Sequence, residues 1–503
     1  MANDWLPDWL HQRAVLSPDR LALVAGDGTD RWTFGTLDAH VTTLANQLVV
    51  FGVRAGDRVA LLMRNGRQFV TLVHALSRLG AVLVPLNIRL TPSEIGWQLA
   101  DVRAGWLIHD PYHAVAATAA ARELPQPGPV LLDAGSLRGL PNQPSHPISY
   151  RFQLDAPHCI LYTSGTTGHP KGVVLTYGNH WWNAVGSCLN LGLSPDDRWL
   201  ACLPLFHVGG LAILLRSVIY GNAAIVHEAF DPVAVNQTID AEAVTIISVV
   251  SVMLRRMLAA RGGQPYPPSL RCVLLGGGPA ARDLLEDCAR RGVPVVQTYG
   301  LTETASQVAT LAPEDALRKL GSAGKPLFPT EVGIVRDGAE AAAGQVGEIV
   351  VRSPTVTPGY VDRPEATARA LRAGWLHTGD LGYLDDEGYL YVVDRRDDLI
   401  ISGGENVYPA EVETVLLSHP AVDDAGVAGI PDERWGQVPV AFVKLRPGLT
   451  LTAAELETYC AERLARYKVP TQFYFVESLP RNAAGKLPRR ELARSLSRPG
   501  ATE

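Results

Sequence analysis

Residues 161–172 read Leu-Tyr-Thr-Ser-Gly-Thr-Thr-Gly-His-Pro-Lys-Gly. The apolar run 159–162 that leads into them has the character of a buried strand. It empties into small hydroxyl and glycine residues that end at Lys171. Glycines let backbone N–H groups approach an anion, hydroxyls add donors, and the lysine adds a point charge. On this reading Thr163, Ser164, Gly165, Thr166, Thr167, Gly168 and Lys171 form a phosphate cradle. It is not the Walker form, in which Lys-Ser/Thr directly follows the second of two glycines five apart. Here Gly165 and Gly168 are closer, and His169-Pro170 precede the lysine. An ordinary strand-to-helix loop is the competing reading, and the run of hydroxyls weighs against it.

Outward from this loop the chain alternates helix and strand. Apolar residues recur at helical spacing over 33–51 (Phe34, Leu37, Val41, Leu44, Ala45, Leu48), and Gly52 stands where a stop belongs. A strand follows at 58–63, a helix at 69–79 ended by Gly80, and a strand at 81–85. The rhythm returns with strands at 244–250, 272–275 and 293–296. It predicts parallel sheets covered by helices. Two of the later strands open into glycine-bearing loops, Gly276-Gly277-Gly278-Pro279 and Gln297-Thr298-Tyr299-Gly300. Ligands sit at the carboxyl ends of strands in such sheets, so loops 163–171, 276–279 and 299–303 are expected to face one cleft.

From about 345 the texture becomes β-rich, with strands at 347–352 and 389–394. A dense charge run, Asp394-Arg395-Arg396-Asp397-Asp398, separates it from a small α+β pattern. That pattern has helices at 409–417 and 453–465 and strands at 422–427, 441–445 and 473–476. The charge run therefore reads as a hinge as much as a solvated turn.

Composition narrows the class. The 503 residues are 47% hydrophobic and 19% charged with a net charge of −6, which gives no support to a nucleic-acid partner. Six scattered cysteines without a C-x-x-C pair argue against a zinc site or a disulfide framework. The N-terminus lacks the basic cap and apolar run of a signal peptide, and the apolar stretch 244–254 is too short to span a bilayer. A cytoplasmic protein without membrane insertion is expected. The sequence leaves room for a homodimer without specifying one.

Six segments, 162–172, 204–207, 299–303, 377–381, 394–413 and 480–486, resemble in kind and order those of the adenylate-forming superfamily. That group includes acyl-CoA synthetases, luciferases and peptide-synthetase adenylation domains. Tyr177-Gly-Asn-His180, Ser217-Val-Ile-Tyr-Gly221, Leu274-Leu-Gly-Gly-Gly-Pro279 and Leu320-Gly-Ser-Ala-Gly-Lys-Pro-Leu-Phe328 lie outside the general signatures. They are similar to the o-succinylbenzoate–CoA ligases of menaquinone biosynthesis. The resemblance implies an α/β fold: an N-terminal domain, 1–394, of two helix-covered mixed sheets plus a β-barrel-like subdomain. A hinge at 395–397 and a small mobile α+β domain, 398–503, would complete it.

The implied reaction has two halves. A small-molecule carboxylic acid attacks ATP to give an acyl-adenylate and pyrophosphate; coenzyme A then displaces AMP. The resemblance gives the cradle the β- and γ-phosphates, Thr302 the α-phosphate, and Glu303 the Mg²⁺. Asp380 and Arg395 would hold the ribose. Gly276, Gly277, Gly278 and Pro279, with Thr298, Tyr299 and Gly300, would surround adenine. Lys486 would be the catalytic lysine and Asp397 the hinge residue. Domain rotation would bring Ser402, Gly403 and Gly404 to the pantetheine path. His207, Gly209 and Ser306 would line the acyl pocket, with Arg216 pairing the spectator benzoate. Asp394 replaces the glycine of many members, and Asp397-Asp398 the frequent Lys-Asp, so coenzyme A contacts at this turn are not carried over. Two alternatives stay open: a synthetase for another aromatic or fatty acid, and a nucleotide-binding protein or P-loop-type kinase without adenylation.

Overall fold

A computed structural model describes residues 5–25, 28–125, 128–137, 150–163, 170–277, 280, 282–395, 399–480, 489 and 492–493. The strand predicted before the cradle is Pro157–Thr163, and the next element is not a helix but an antiparallel strand, Lys171–Thr176. Thr163 pairs with Lys171 at the mouth of this hairpin. The helix follows, Tyr177–Leu191, started by a capping box between Thr176 and Asn179.

This hairpin lies near one edge of a seven-stranded sheet. Its order is Gly359–Tyr360, Lys171–Thr176, Pro157–Thr163, Val82–Pro85, Arg58–Leu62, Trp106–His109, Val130–Asp133. The last five run parallel. A second sheet has a parallel centre formed by Leu21–Ala25, Ala223–Val226, Arg198–Ala201, Ile246–Val250, Cys272–Gly276 and Val295–Leu301. Helices Phe34–Phe51, Arg67–Leu79 and Val208–Tyr220 join the two sheets through one continuous apolar core. Gly52 and Gly80 end the first two in the left-handed region, as their positions predicted.

The β-rich stretch continues the second sheet through Ser306–Leu311 and Ser322–Pro326 into antiparallel strands that include Gly347–Arg352, Trp375–Leu384 and Leu390–Arg395. The C-terminal unit has its own core and a five-stranded sheet. Strands 422–427 and 441–445 are longer than the pattern suggested: Val422–Asp432 and Gly436–Leu445 form one long hairpin. Pro431 and Pro439 mask it in sequence, yet both sit within its ladder. The helix expected over 453–465 ends at Ala461, and a 3-10 turn occupies Arg466–Lys468. No helix among the described residues is long and apolar enough to cross a membrane.

Candidate active site

A cavity of about 1180 Å³ opens where the carboxyl ends of the strands meet the C-terminal unit. Its lining includes Thr163, Lys171, Gly276, Gly277, Thr298, Gly300, Thr302 and Glu303, so the three expected segments do converge. Segment 299–303 is not a loop, however. Tyr299, Gly300 and Leu301 finish the strand Val295–Leu301, and Thr302–Thr304 is a 3-10 turn. The strand doubles back onto Ser306–Leu311 so tightly that a Cβ on Gly300 would lie 1.8 Å from the Ser306 carbonyl oxygen. Only glycine fits there.

That turn aims Glu303 into the cavity. Its Oε1 accepts a hydrogen bond from the Tyr360 hydroxyl at 3.0 Å. Burial pushes the Glu303 carboxyl above its ordinary value. A half-buried hard-oxygen donor whose charge is poorly solvated is one that a divalent cation would stabilise, so the residues fit Mg²⁺. Lys171 lies with its Nζ 5.3 Å from the centre of the same Tyr360 ring. Strand alternation turns Tyr299 away from the cavity lining, into the neighbouring core, and its hydroxyl donates to Asp380 Oδ2 at 2.7 Å. Asp380 itself lines the cavity and pairs in register with Arg395 across adjacent strands. It lies within the strand Trp375–Leu384.

The other wall is apolar with one buried cation. Arg216, on helix Val208–Tyr220, is only 2% exposed. Its Nη2 donates to Asn183 Oδ1, its guanidinium lies 5.5 Å from the Trp199 ring centre, and its Nε has no partner. No carboxylate pairs with it among the described residues. Burial lowers its pKa. An uncompensated buried charge is costly, and an anionic ligand would relieve it. Gln307 lines the same cavity, buried, with both side-chain polar atoms unpartnered. Gly209 and Ser306 also line it. Asn183 and Gln307 carried no local signal in the sequence; only the fold brings them beside Arg216.

The C-terminal unit closes the remaining side with Ser402, Gly403, Gly404, Glu405 and Trp435. Glu405 is almost fully buried; its Oε2 accepts from His207 Nε2 at 3.1 Å and its Oε1 from Arg89 at 2.9 Å. Burial disfavours its charge, but His207 and then Arg89 more than offset this and hold the carboxyl below its ordinary value. His207, expected against substrate, is thus engaged across the seam between the two units. Ser164, Gly165, Thr166, Thr167, Gly168, Gly278, Pro279, Asp397 and Lys486, and the side chain of Arg395, lie outside the described residues.

Behind the hairpin, off the cavity lining, ligand atoms of His158, Cys159 and His180 come within 4.8 Å of one another. They are already engaged: His158 Nε2 with Ser77 at 2.9 Å, Cys159 Sγ with His180 Nε2 at 3.4 Å. Burial pushes the thiol up and lowers His180 to about 3, so this is a neutral core cluster.

Residues 10–361 match the family model of AMP-binding enzymes, and 411–486 match that family's C-terminal domain. The chain belongs to the AMP-binding enzyme family. Among its relatives is 2-succinylbenzoate–CoA ligase of Geobacillus kaustophilus, 55% identical over 97% of this chain and 98% of that one. Two structures of o-succinylbenzoate CoA synthetase from Bacillus subtilis are informative together. A double mutant bound to the product analogue OSB-NCoA superposes with a TM-score of 0.93 (47% identity, covering 97% and 99% of the two chains). The complex with ATP and magnesium ion gives 0.76 at the same identity and coverage. Identity and coverage being equal, this AMP-binding enzyme superposes more closely on the product-analogue complex than on the complex with ATP and magnesium ion.

Proposed function

We propose that this chain is an ATP-dependent o-succinylbenzoate–CoA ligase serving menaquinone biosynthesis. The observation that carries the reading is the juxtaposition, in one cavity, of Lys171 and Glu303 with a buried Arg216 that meets no carboxylate among the described residues. The first two suit a nucleotide's phosphates; the third suits a second carboxylate on the acid. The naming of the relatives supports the same substrate.

In the first half-reaction the succinyl carboxylate attacks the α-phosphorus of ATP; the acyl–O–P bond forms as the bond to pyrophosphate breaks. Negative charge gathers on the phosphate oxygens, where the cradle, Lys171 and Thr302 provide donors. Magnesium, when bound, neutralises phosphate charge, and Glu303 would hold it with Tyr360 fixing one carboxylate oxygen. Lys486 bridges the attacking carboxylate and the α-phosphate, and Asp380 with Arg395 holds the ribose. In the second half the thiol of coenzyme A attacks the acyl carbonyl and AMP leaves. Rotation about 395–397 exchanges Lys486 for the Ser402, Gly403 and Gly404 face of domain 398–503. ATP and coenzyme A as substrates support a cytoplasmic site for the reaction.

The test is a ligation assay with a panel of acids. AMP, pyrophosphate and the thioester should appear with o-succinylbenzoate and not with benzoate, which lacks the succinyl arm. Equal turnover of benzoate or fatty acids would move the substrate to the alternative reading. Absence of AMP with every acid would remove the ligase reading altogether.

A further inference from the structure

One ionic contact at the seam between the two units, Lys468 with Glu94 and Glu411, is made by residues that do not themselves line the cavity. Lys468, in the 3-10 turn Arg466–Lys468, is buried, with 4% of its side chain exposed. Its Nζ donates to Glu411 Oε1 and to Glu94 Oε1, each at 2.7 Å. Glu411 starts the helix Pro409–Leu417 of the C-terminal unit and travels with Lys468. Glu94 belongs to helix Pro92–Asp101 of the large unit and does not. The other Glu94 oxygen accepts from the backbone N–H and hydroxyl of Thr91, so the carboxylate is pre-aimed by its own helix. Beside Lys468, Ala465 and Tyr467 pack into the same apolar cluster as Ile95 and Leu99 of that helix.

We infer that Glu94 is a positioning residue for the thioester half-reaction: its contact with Lys468 holds the domain arrangement seen here and is broken in the arrangement that forms the adenylate. The inference rests on the ligase reading and on two arrangements serving two half-reactions. The charge arithmetic favours it. Lys468 keeps Glu411 wherever the small domain goes, so the contact with Glu94 is a difference between states and not a constant of the fold. A ligand-free equilibrium is biased only by such differential contacts. Charge-assisted hydrogen bonds away from water are strong enough to matter on this scale.

Glu94→Gln tests it, because glutamine at this position still completes the capping box while removing the charge. In the full chain, thioester formation from supplied acyl-adenylate and coenzyme A should fall roughly tenfold, the loss expected for one charged hydrogen bond. Acid-dependent pyrophosphate exchange into ATP should stay within about twofold of the parent. A pair of distance labels, one on each domain, should show the variant shifted away from the present arrangement. Equal loss in both half-reactions, or no loss in either, overturns the inference. If Glu94→Gln folds poorly, Glu94→Asp keeps the charge but shortens the reach and should show the same one-sided loss. Failure of the parent protein to exchange pyrophosphate would instead sink the ligase reading, whatever the variants do.

Discussion

Arg216 is a guanidinium held out of water with a neutral amide for company. Such a group stores a demand for an anion. Arg216→Ala should raise the Michaelis constant for o-succinylbenzoate at least roughly tenfold, as loss of a buried charge partner does. The constant for ATP should barely move; steady-state kinetics with each substrate varied in turn decides it. Equal constants for the acid before and after the change would remove Arg216 from the pocket. Lys486 makes the opposite kind of demand, a cation wanted only while charge develops. Lys486→Ala should cut adenylate formation by roughly 10²–10³ yet spare thioester synthesis from supplied acyl-adenylate. A parallel fall in both, with the fold intact by circular dichroism, would contradict domain alternation.

The hairpin of Val295–Leu301 with Ser306–Leu311 is the element on which the metal and phosphate residues depend. Gly300→Ala would drive a methyl group into the Ser306 carbonyl, a backbone clash that cannot relax through a rotamer. It should cost roughly 1–3 kcal/mol or more, read as a lower denaturation midpoint. The magnesium dependence of pyrophosphate exchange should weaken with it, since Thr302 and Glu303 ride on the same turn. This element also shows what was legible in the sequence and what was not. Helix 34–51 announced itself through apolar spacing and Gly52, and helix 409–417 was found to the residue. Tyr299-Gly-Leu-Thr-Glu303 looked like a loop because a glycine interrupts it, whereas the glycine is there to let two strands touch. Periodicity reports one strand's faces; it says nothing of how closely the next strand passes. For the same reason Lys171, Glu303 and Arg216 could be named early. Gln307 and Asn183 could not, since their meaning lies entirely in partners far along the chain.

On the scale of the whole molecule, burial of neutral imidazoles sets a pH limit. His74 and His180 are each lowered to about 3, chiefly by burial, and His158 falls well below its ordinary value for the same reason. In the unfolded chain these rings take up protons near pH 6.5. Between about 6.5 and 3 the unfolded state therefore binds more protons, and stability declines as pH falls. Each of the two rings lowered to about 3 should contribute on the order of 5 kcal/mol at neutral pH that is lost across that window. Denaturant melts from pH 8 to pH 4 should be level down to about pH 6.5 and decline below it, and His180→Asn should flatten that decline. A midpoint indifferent to pH would mean that these rings protonate in place.

The cavity draws its walls from both units of the chain, Thr163 to Tyr360 on one side and Ser402 to Trp435 on the other. Cutting between them would leave a trough in one fragment and a lid in the other, with turnover in neither. Mixed together, the two pieces would regain activity only by meeting, so complementation would follow second-order kinetics and vanish on dilution. The peptide link across residues 396–398 supplies, in effect, a permanent local concentration of the missing wall.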